Sequence, residues 1–289
     1  MSERYAIVVD GTAVLPAEIT RDLDIRVVAQ HVIFGAESFT EGLDITPEEF
    51  YERLPRSRAT TSAPSMGEFR AVYDAAIQDG ARALLVLVLA TELSSTYSIA
   101  ASTAQQIGDA RIEVIDCRSL AGSIGLVATA CARARRDGAS FDEALALARR
   151  LAGKIPLLAI IDTLQYLRRS GRASSMQAIF GSLLSVKPIL DIHDGMLDPI
   201  DKVRTRDRAM ERMKQLIAQR VEPGARVHFS GLHTNAADRA RLLVDWAQER
   251  FHCVESYTCE AGPAIAAHGG PGVVGACWYS ESLLRGGST

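Results

Sequence analysis

Short apolar runs bounded by turn residues alternate with helix-period segments almost from the first residues. That alternation restricts the chain to an α/β architecture built from βα units around a parallel sheet. In the first half, Tyr5 to Val9, Ile25 to Ile33, Ala83 to Leu89 and Arg111 to Asp116 are predicted strands. Thr46-Pro47-Glu48-Glu49 opens one intervening helix, with Thr as N-cap, Pro in the first turn and Glu closing a capping box. Ser140-Phe141-Asp142-Glu143 opens another, whose Ala144, Leu147, Ala148 and Leu151 share one face and which ends at Gly153. After a strand from Ile155 to Asp162 the order changes. Short helices around Leu164 to Arg169 and Gln177 to Leu184 precede two extended runs, Pro188 to His193 and Met196 to Val203. These flank Asp194-Gly195, which predicts a hairpin because Gly accepts the positive φ of a tight turn. Helix Thr205 to Arg220, strand Arg226 to Leu232, helix Ala236 to Phe251, and strands Cys253 to Cys259 and Val273 to Tyr279 follow.

A length of 289 residues suggests two units at roughly 150 residues per domain. No Pro- or Ser-rich linker, repeat or low-complexity segment separates them. The expectation is therefore two docked α/β domains, residues 1–153 with a mostly parallel sheet and residues 154–289 with a mixed one. The cleft between them is the default ligand site.

Several function classes lose support. With 32 Lys+Arg against 35 Asp+Glu, the net charge of −3 gives no general attraction to nucleic acid. The longest apolar run, Ala83 to Ala90, is eight residues, against the roughly 20 that a membrane-spanning helix needs. The opening Met1-Ser-Glu-Arg lacks a signal-peptide pattern, so a cytoplasmic location is expected. Cys117, Cys131, Cys253, Cys259 and Cys277 form no C-x-x-C pair and read as mostly buried, reduced thiols, with neither a disulfide framework nor a metal site.

Gly270-Pro271-Gly272-Val273-Val274-Gly275 matches G-x-G-x-x-G by letters. A strand follows it, whereas the dinucleotide mechanism needs a helix there. The Gly-, Pro- and Ala-rich stretch Ala261 to Gly272 around His268 reads as a loop that lets backbone approach a ligand. Thr91-Glu92-Leu93-Ser94-Ser95-Thr96-Tyr97 lies at the carboxyl end of the most apolar strand, where ligands of open α/β sheets bind. Its hydroxyls suit either a carboxylate or phosphate cradle or plain N-capping. Thr60-Thr61-Ser62-Ala63-Pro64-Ser65 carries the same two readings. Arg168, Arg169 and Arg172, and then Arg204, Arg206 and Arg208, form two basic clusters able to receive a phosphorylated group or an acidic partner.

Other short patterns run in order through the chain: Val8-Val9-Asp10-Gly11-Thr12-Ala13, Thr61-Ser62-Ala63-Pro64-Ser65 and Leu93-Ser94-Ser95-Thr96-Tyr97. Asp162-Thr163-Leu164-Gln165-Tyr166-Leu167 with Ser170-Gly171-Arg172 comes next, then Lys187-Pro188-Ile189-Leu190 and Ala267-His268-Gly269-Gly270-Pro271-Gly272. In this order, from about Tyr5 to Tyr279, the sequence resembles the DegV family of bacterial fatty-acid-binding proteins, the acyl-carrying subunits of fatty acid kinase. The resemblance implies a long-chain fatty acid held in a tunnel between two α/β domains. It also implies no catalysis or cofactor in this chain, and a separate ATP-dependent kinase subunit as partner. Carried over residue by residue, Thr61, Ser94 and His268 match carboxyl-binding positions, with Ser62, Ser95 and Gly269 as neighbours. Arg172 matches a position on the kinase-docking face, outside the tunnel. Gly11 replaces the family's usual Ser, Ala63 its Gln and Ser95 its Gly. Two other classes stay open: a hydrolase using Ser94, His268 and either Asp10 or Asp116, and an α/β protein binding a phosphorylated small molecule through the two hydroxyl clusters.

Overall fold

The structure, a computed structural model, describes residues 4–172 and 186–285. In chain order the first elements are β1 (Tyr5–Asp10), α1 (Ala17–Asp22), β2 (Ile25–Val28), β3 (His31–Phe34), β4 (Glu37–Thr40), α2 (Pro47–Arg53), β5 (Ala59–Ser62) and α3 (Met66–Gln78). Next come β6 (Ala83–Val88), α4 (Thr96–Ala104), β7 (Arg111–Asp116), α5 (Gly122–Arg136), α6 (Phe141–Leu151), β8 (Leu157–Ile160) and α7 (Gln165–Ser170). The rest are β9 (Lys187–His193), β10 (Met196–Val203), α8 (Arg206–Arg220), β11 (Arg226–His233), α9 (Ala237–Arg250), β12 (His252–Glu260), α10 (Pro263–Gly269) and β13 (Val274–Ser280). A 3-10 turn, Glu281–Arg285, closes the described chain. The capping boxes at Thr46 and Ser140 both form, and Gly153 takes positive φ just past α6. The helix predicted over Gln177 to Leu184 lies outside the described residues.

One domain carries a parallel sheet in the order β2-β1-β6-β7. Every residue of β1 and β6 is buried, which explains their unbroken apolar runs: strands of a covered parallel sheet face no water on either side. Alternate residues part to two cores. Ala6, Val8, Leu84 and Val86 meet Phe69, Tyr73 and Ala100 of α3 and α4, while Ile7, Val9, Leu85 and Leu87 meet α5 and α6. The other domain carries a mixed sheet in the order β10-β9-β8-β13-β11-β12, in which β11 and β12 run parallel and the other neighbours antiparallel. Asp194 and Gly195 join β9 to β10 with φ of 49° and 73°, both positive as a tight hairpin turn requires. The core beneath α5 and α6 continues without a break into Leu157, Ile192 and Cys277 of the mixed sheet and Val273 just before β13, so the two sheets share one apolar layer.

Two expectations are corrected. The run Ile25 to Ile33 is not one strand but two, β2 in the parallel sheet and β3 in a separate antiparallel sheet ordered β4-β3-β5. The break lies at Ala29-Gln30, where the chain crosses over Gly11, whose N–H donates to the Val28 carbonyl at 2.7 Å. The stretch Ala261 to Gly272 is not a loop throughout, since it contains α10 with His268 in its last turn. Of the cysteines, all of them free, Cys117, Cys131 and Cys277 are buried and Cys253 and Cys259 half-buried.

A Cβ at position 11 would stand 2.7 Å from the Gln30 main-chain nitrogen, a neighbour that cannot swing aside. Gly11→Ser is therefore expected to lower stability by about 1–3 kcal/mol, the range for overpacking. A denaturant midpoint equal to that of the parent would show that the β2–β3 crossover yields.

Candidate functional site

A cavity of about 350 Å³ lies in the shared apolar layer, within the roughly 300–1,000 Å³ range of small-molecule sites. Strand periodicity builds its apolar wall. Leu157, Ala159 and Ile161 along and just after β8 face it, whereas Leu158 and Ile160 turn to the opposite core beneath α8 and α9. In the same way Leu190 and Ile192 of β9 face the cavity and Ile189 faces away. Leu89 and Leu93, beyond the end of β6, supply the facing wall together with Leu120 and Ala121. Ala121, which begins α5, has φ 57° and ψ −131°, a backbone that costs a residue with a Cβ roughly 1–3 kcal/mol.

All of Thr61, Ser62, Ser94, Ser95, His268, Gly269 and Arg172 line this cavity. Thr61 sits on β5, while Ser65 of the same hydroxyl cluster is the N-cap of α3, so that cluster divides between site and cap. Thr61 Oγ1 and His268 Nε2 are 2.7 Å apart. Ser94 Oγ pairs with Thr96 Oγ1 at 2.8 Å and accepts from the Thr96 N–H at 3.3 Å, so it is tied to the first residue of α4 as well as lining the cavity. Ser95 has φ −74°, an ordinary backbone that needs no glycine. Arg172 does not stand outside the cavity as expected: it is solvent-exposed and lines the rim, with Nη1 donating to the Ser170 carbonyl at 2.6 Å. The short turn after α7, where Gly171 has φ 74°, brings it there.

Burial, and secondarily the Arg172 charge, push the His268 imidazole down to about 4 from an ordinary 6.5. The ring is therefore neutral near pH 7, and its Nδ1 is buried without a partner among the described residues. Asp10, fully buried at the end of β1, accepts from the Thr12 N–H at 2.7 Å, the Thr12 hydroxyl at 2.5 Å, the Leu89 N–H at 2.7 Å and Gln30 Nε2 at 3.3 Å. Burial raises its carboxyl and those bonds oppose the rise. Asp10 is thus an organiser of the cavity wall, because Thr12 and Gln30 both line the cavity. Sequence reasoning did not assign these two to the site, although Thr12 stands in the Val8 to Ala13 motif; Gln30 gave no signal beyond being a polar residue after an apolar strand. In the G-x-G-x-x-G stretch, Gly270 and Gly272 take φ of 77° and 85° in a turn between α10 and β13, with Tyr166 packed against the first and Asp162 and Arg206 against the second. Among the described residues no group of His, Cys, Asp and Glu could hold a metal ion, and no helix is long and apolar enough to cross a membrane.

The family model described as "Uncharacterised protein, DegV family" matches residues 4–281. The chain belongs to the DegV family. Among similar DegV proteins, the DegV domain-containing protein SCO2569 of Streptomyces coelicolor is 35% identical over 277 residues, 95% of this chain and 98% of that protein. The crystal structure of DegV from Bacillus subtilis, described as a fatty acid binding protein, superposes with a TM-score of 0.86 at 29% identity, covering 96% of this chain and 99% of that one. A DegV family protein from Thermus thermophilus, described for its fatty acid binding, gives a TM-score of 0.89 at 28% identity, with 96% and 99% covered. The fold of one parallel and one mixed α/β domain is thus the DegV fold.

Since the His268 pKa is depressed, its neutral form contributes stability that is fully present above about pH 6.5 and is lost as pH falls toward 4. This share amounts to at most about 3 kcal/mol. His268→Asn should flatten the pH dependence of the denaturant midpoint between pH 6.5 and 4. An unchanged slope would show that the ring protonates freely in the fold.

Proposed function

We propose that this chain is a fatty-acid-binding protein that holds a long-chain acyl group in the cavity and presents its carboxyl to a separate ATP-dependent kinase subunit, without catalysing a reaction of its own. The observation that carries the reading is an apolar cavity whose wall includes neutral hydroxyl and imidazole groups and a single charged residue, Arg172, among the described lining residues. The fatty-acid binding of two DegV proteins with the same fold supports it.

The chemistry divides between tail and head. A palmitate-like tail has about 14 methylenes, each worth about 0.8 kcal/mol when buried, and association costs offset much of that gross gain. The tail therefore provides affinity. Thr61, Ser94 and His268 orient the carboxyl, with Ser62, Ser95 and Gly269 around it. A carboxylate beside Thr61 selects the arrangement in which His268 donates from Nε2 to Thr61 Oγ1, leaving the threonine proton for the ligand. Neutral donors hold a carboxylate without a salt bridge, so an oxygen stays available to attack a phosphoryl group. Arg172, exposed at the rim, would meet a kinase or the phosphoryl group it delivers. Against a Ser/His hydrolase stand the pairings themselves: Ser94 bonds Thr96, His268 bonds Thr61, and Asp10 and Asp116 are engaged by Thr12 and Thr91.

Purified protein made in bacteria should carry about one long-chain fatty acid per chain, seen by native mass spectrometry. Empty protein showing no thermal shift with C14 to C18 acids would end the carrier reading. Ser94→Ala should weaken binding by about 1.5–3 kcal/mol, the value of a hydrogen bond to a charged partner. Stoichiometric labelling of Ser94 by a fluorophosphonate would favour the hydrolase instead.

A further inference from the structure

His268 can set the Thr61 hydroxyl toward an acyl carboxyl only as well as α10 is held, and α10 has an unusual beginning. Its N-cap, Gly262, offers no side chain, and Pro263 has no N–H to donate. The Ile265 and Ala266 N–H groups turn back to the Gly262 carbonyl at 3.1 and 3.0 Å. The remaining donor of the first turn, the Ala264 N–H, is taken at 3.0 Å by Oε2 of Glu41, a residue 223 positions away. Glu41 lies just past β4 and holds a second part of the cavity wall as well, since its main-chain N–H donates to the Gln30 carbonyl at 2.9 Å. Gln30 lines the cavity and is tied to Asp10.

Space at this contact is reserved. Gly262 has φ −68°, so nothing in its backbone demands glycine, yet a Cβ there would collide with the Glu41 carboxylate. The carboxyl is also half-buried: burial pushes it up to about 7, with the Ala264 hydrogen bond opposing and the Asp10 charge adding to the rise. A carboxyl kept in so unfavourable a place, over a glycine with no steric reason of its own, is held there by its contact with α10.

We infer that Glu41 is a positioning residue for the acyl head group: it caps α10 from the neighbouring β-sheet, fixes that helix against the Gln30 wall, and so sets His268 in register with Thr61. The inference rests on the fatty-acid-carrier reading and deepens it. Glu41 itself does not line the cavity among the described residues and acts through His268.

The test uses delipidated full-length protein and displacement of a fluorescent acyl analogue by palmitate. The variants are Glu41→Ala, Glu41→Gln and Gly262→Ala, each alone and combined with His268→Ala. Glu41→Ala should weaken palmitate binding by roughly tenfold, the order set by one misplaced hydrogen bond. Gly262→Ala should weaken it comparably by displacing the carboxylate. Glu41→Gln, which keeps an acceptor for the Ala264 N–H, should stay within about threefold of the parent. Neither Glu41→Ala nor Gly262→Ala should add to the defect of His268→Ala, because both act through that side chain. Additive losses, an unchanged affinity in Glu41→Ala, or a Glu41→Gln protein as weak as Glu41→Ala would each overturn the assignment. A parent that binds no palmitate overturns the carrier reading, and the inference falls with it. If Glu41→Ala does not fold, the Gly262→Ala and Glu41→Gln pair still decides.

Discussion

The hydrogen bond between Thr61 and His268 joins residues 207 positions apart, one on an edge strand of a three-stranded sheet and one in the last turn of a short helix. Neither element is stable alone. The sheet is small, and the helix has seven residues, fewer than the roughly 12–15 that an isolated helix needs to be even marginal in water. Both are held by packing: Ala264, Ala266 and Ala267 of α10 share a core with Val32 and Phe34 of β3 and Phe50 of α2. The polar contact at the cavity is thus the exposed edge of a small apolar cluster. Its geometry is as rigid as that cluster and the bonds at the two ends of α10.

The cavity in turn depends on the layer that α5 creates. Residues Gly122 to Ala132 of that helix are all buried, because one of its sides meets the parallel sheet and another the mixed sheet. Close approach requires small residues. A Cβ at Gly125 would come within 2.7 Å of the Val14 carbonyl oxygen, and one at Gly122 within 3.0 Å of Cys277 Sγ. A layer packed this tightly around a cavity of about 350 Å³ offers an apolar ligand of matching shape close dispersion contacts. Binding to the folded state alone stabilises that state by mass action.

How much of this the sequence disclosed depends on whether a segment states its own environment. The strands β1 and β6 were legible because burial on both faces leaves only apolar residues. The α2 and α6 starts were legible because their capping boxes are local, and the hairpin because Asp194-Gly195 sets its own backbone. The division of Ile25 to Ile33 was not legible: its cause is the approach of Gly11, a contact across the fold. The helix α10 was hidden by composition, although Gly262-Pro263 before it and Gly270 after it were the available signal, Pro opening and Gly ending a helix. Of the cavity-lining residues, Ser94, Thr61 and His268 were singled out by resemblance, and the hydroxyl clusters by their place beyond strand ends. Sequence alone could not separate Thr61 from Ser65, since a capping serine and a cavity-lining threonine look alike until the neighbouring strand is known.

The protonation state of His268 links these levels. A histidine on the surface would be partly cationic near pH 7 and would hold a carboxylate as an ion pair. Here burial and the Arg172 guanidinium both disfavour the cation. The same environment that makes the cavity suitable for an alkyl tail therefore also fixes the electrical character of the head site: neutral donors inside, one guanidinium at the rim. Ion pairing inside would lower the basicity of the carboxylate oxygens, whereas a cation confined to the rim attracts the anion without covering them. On the proposed carrier reading, this distribution would grip an acyl group by its tail and only orient its head, leaving the carboxyl free to react.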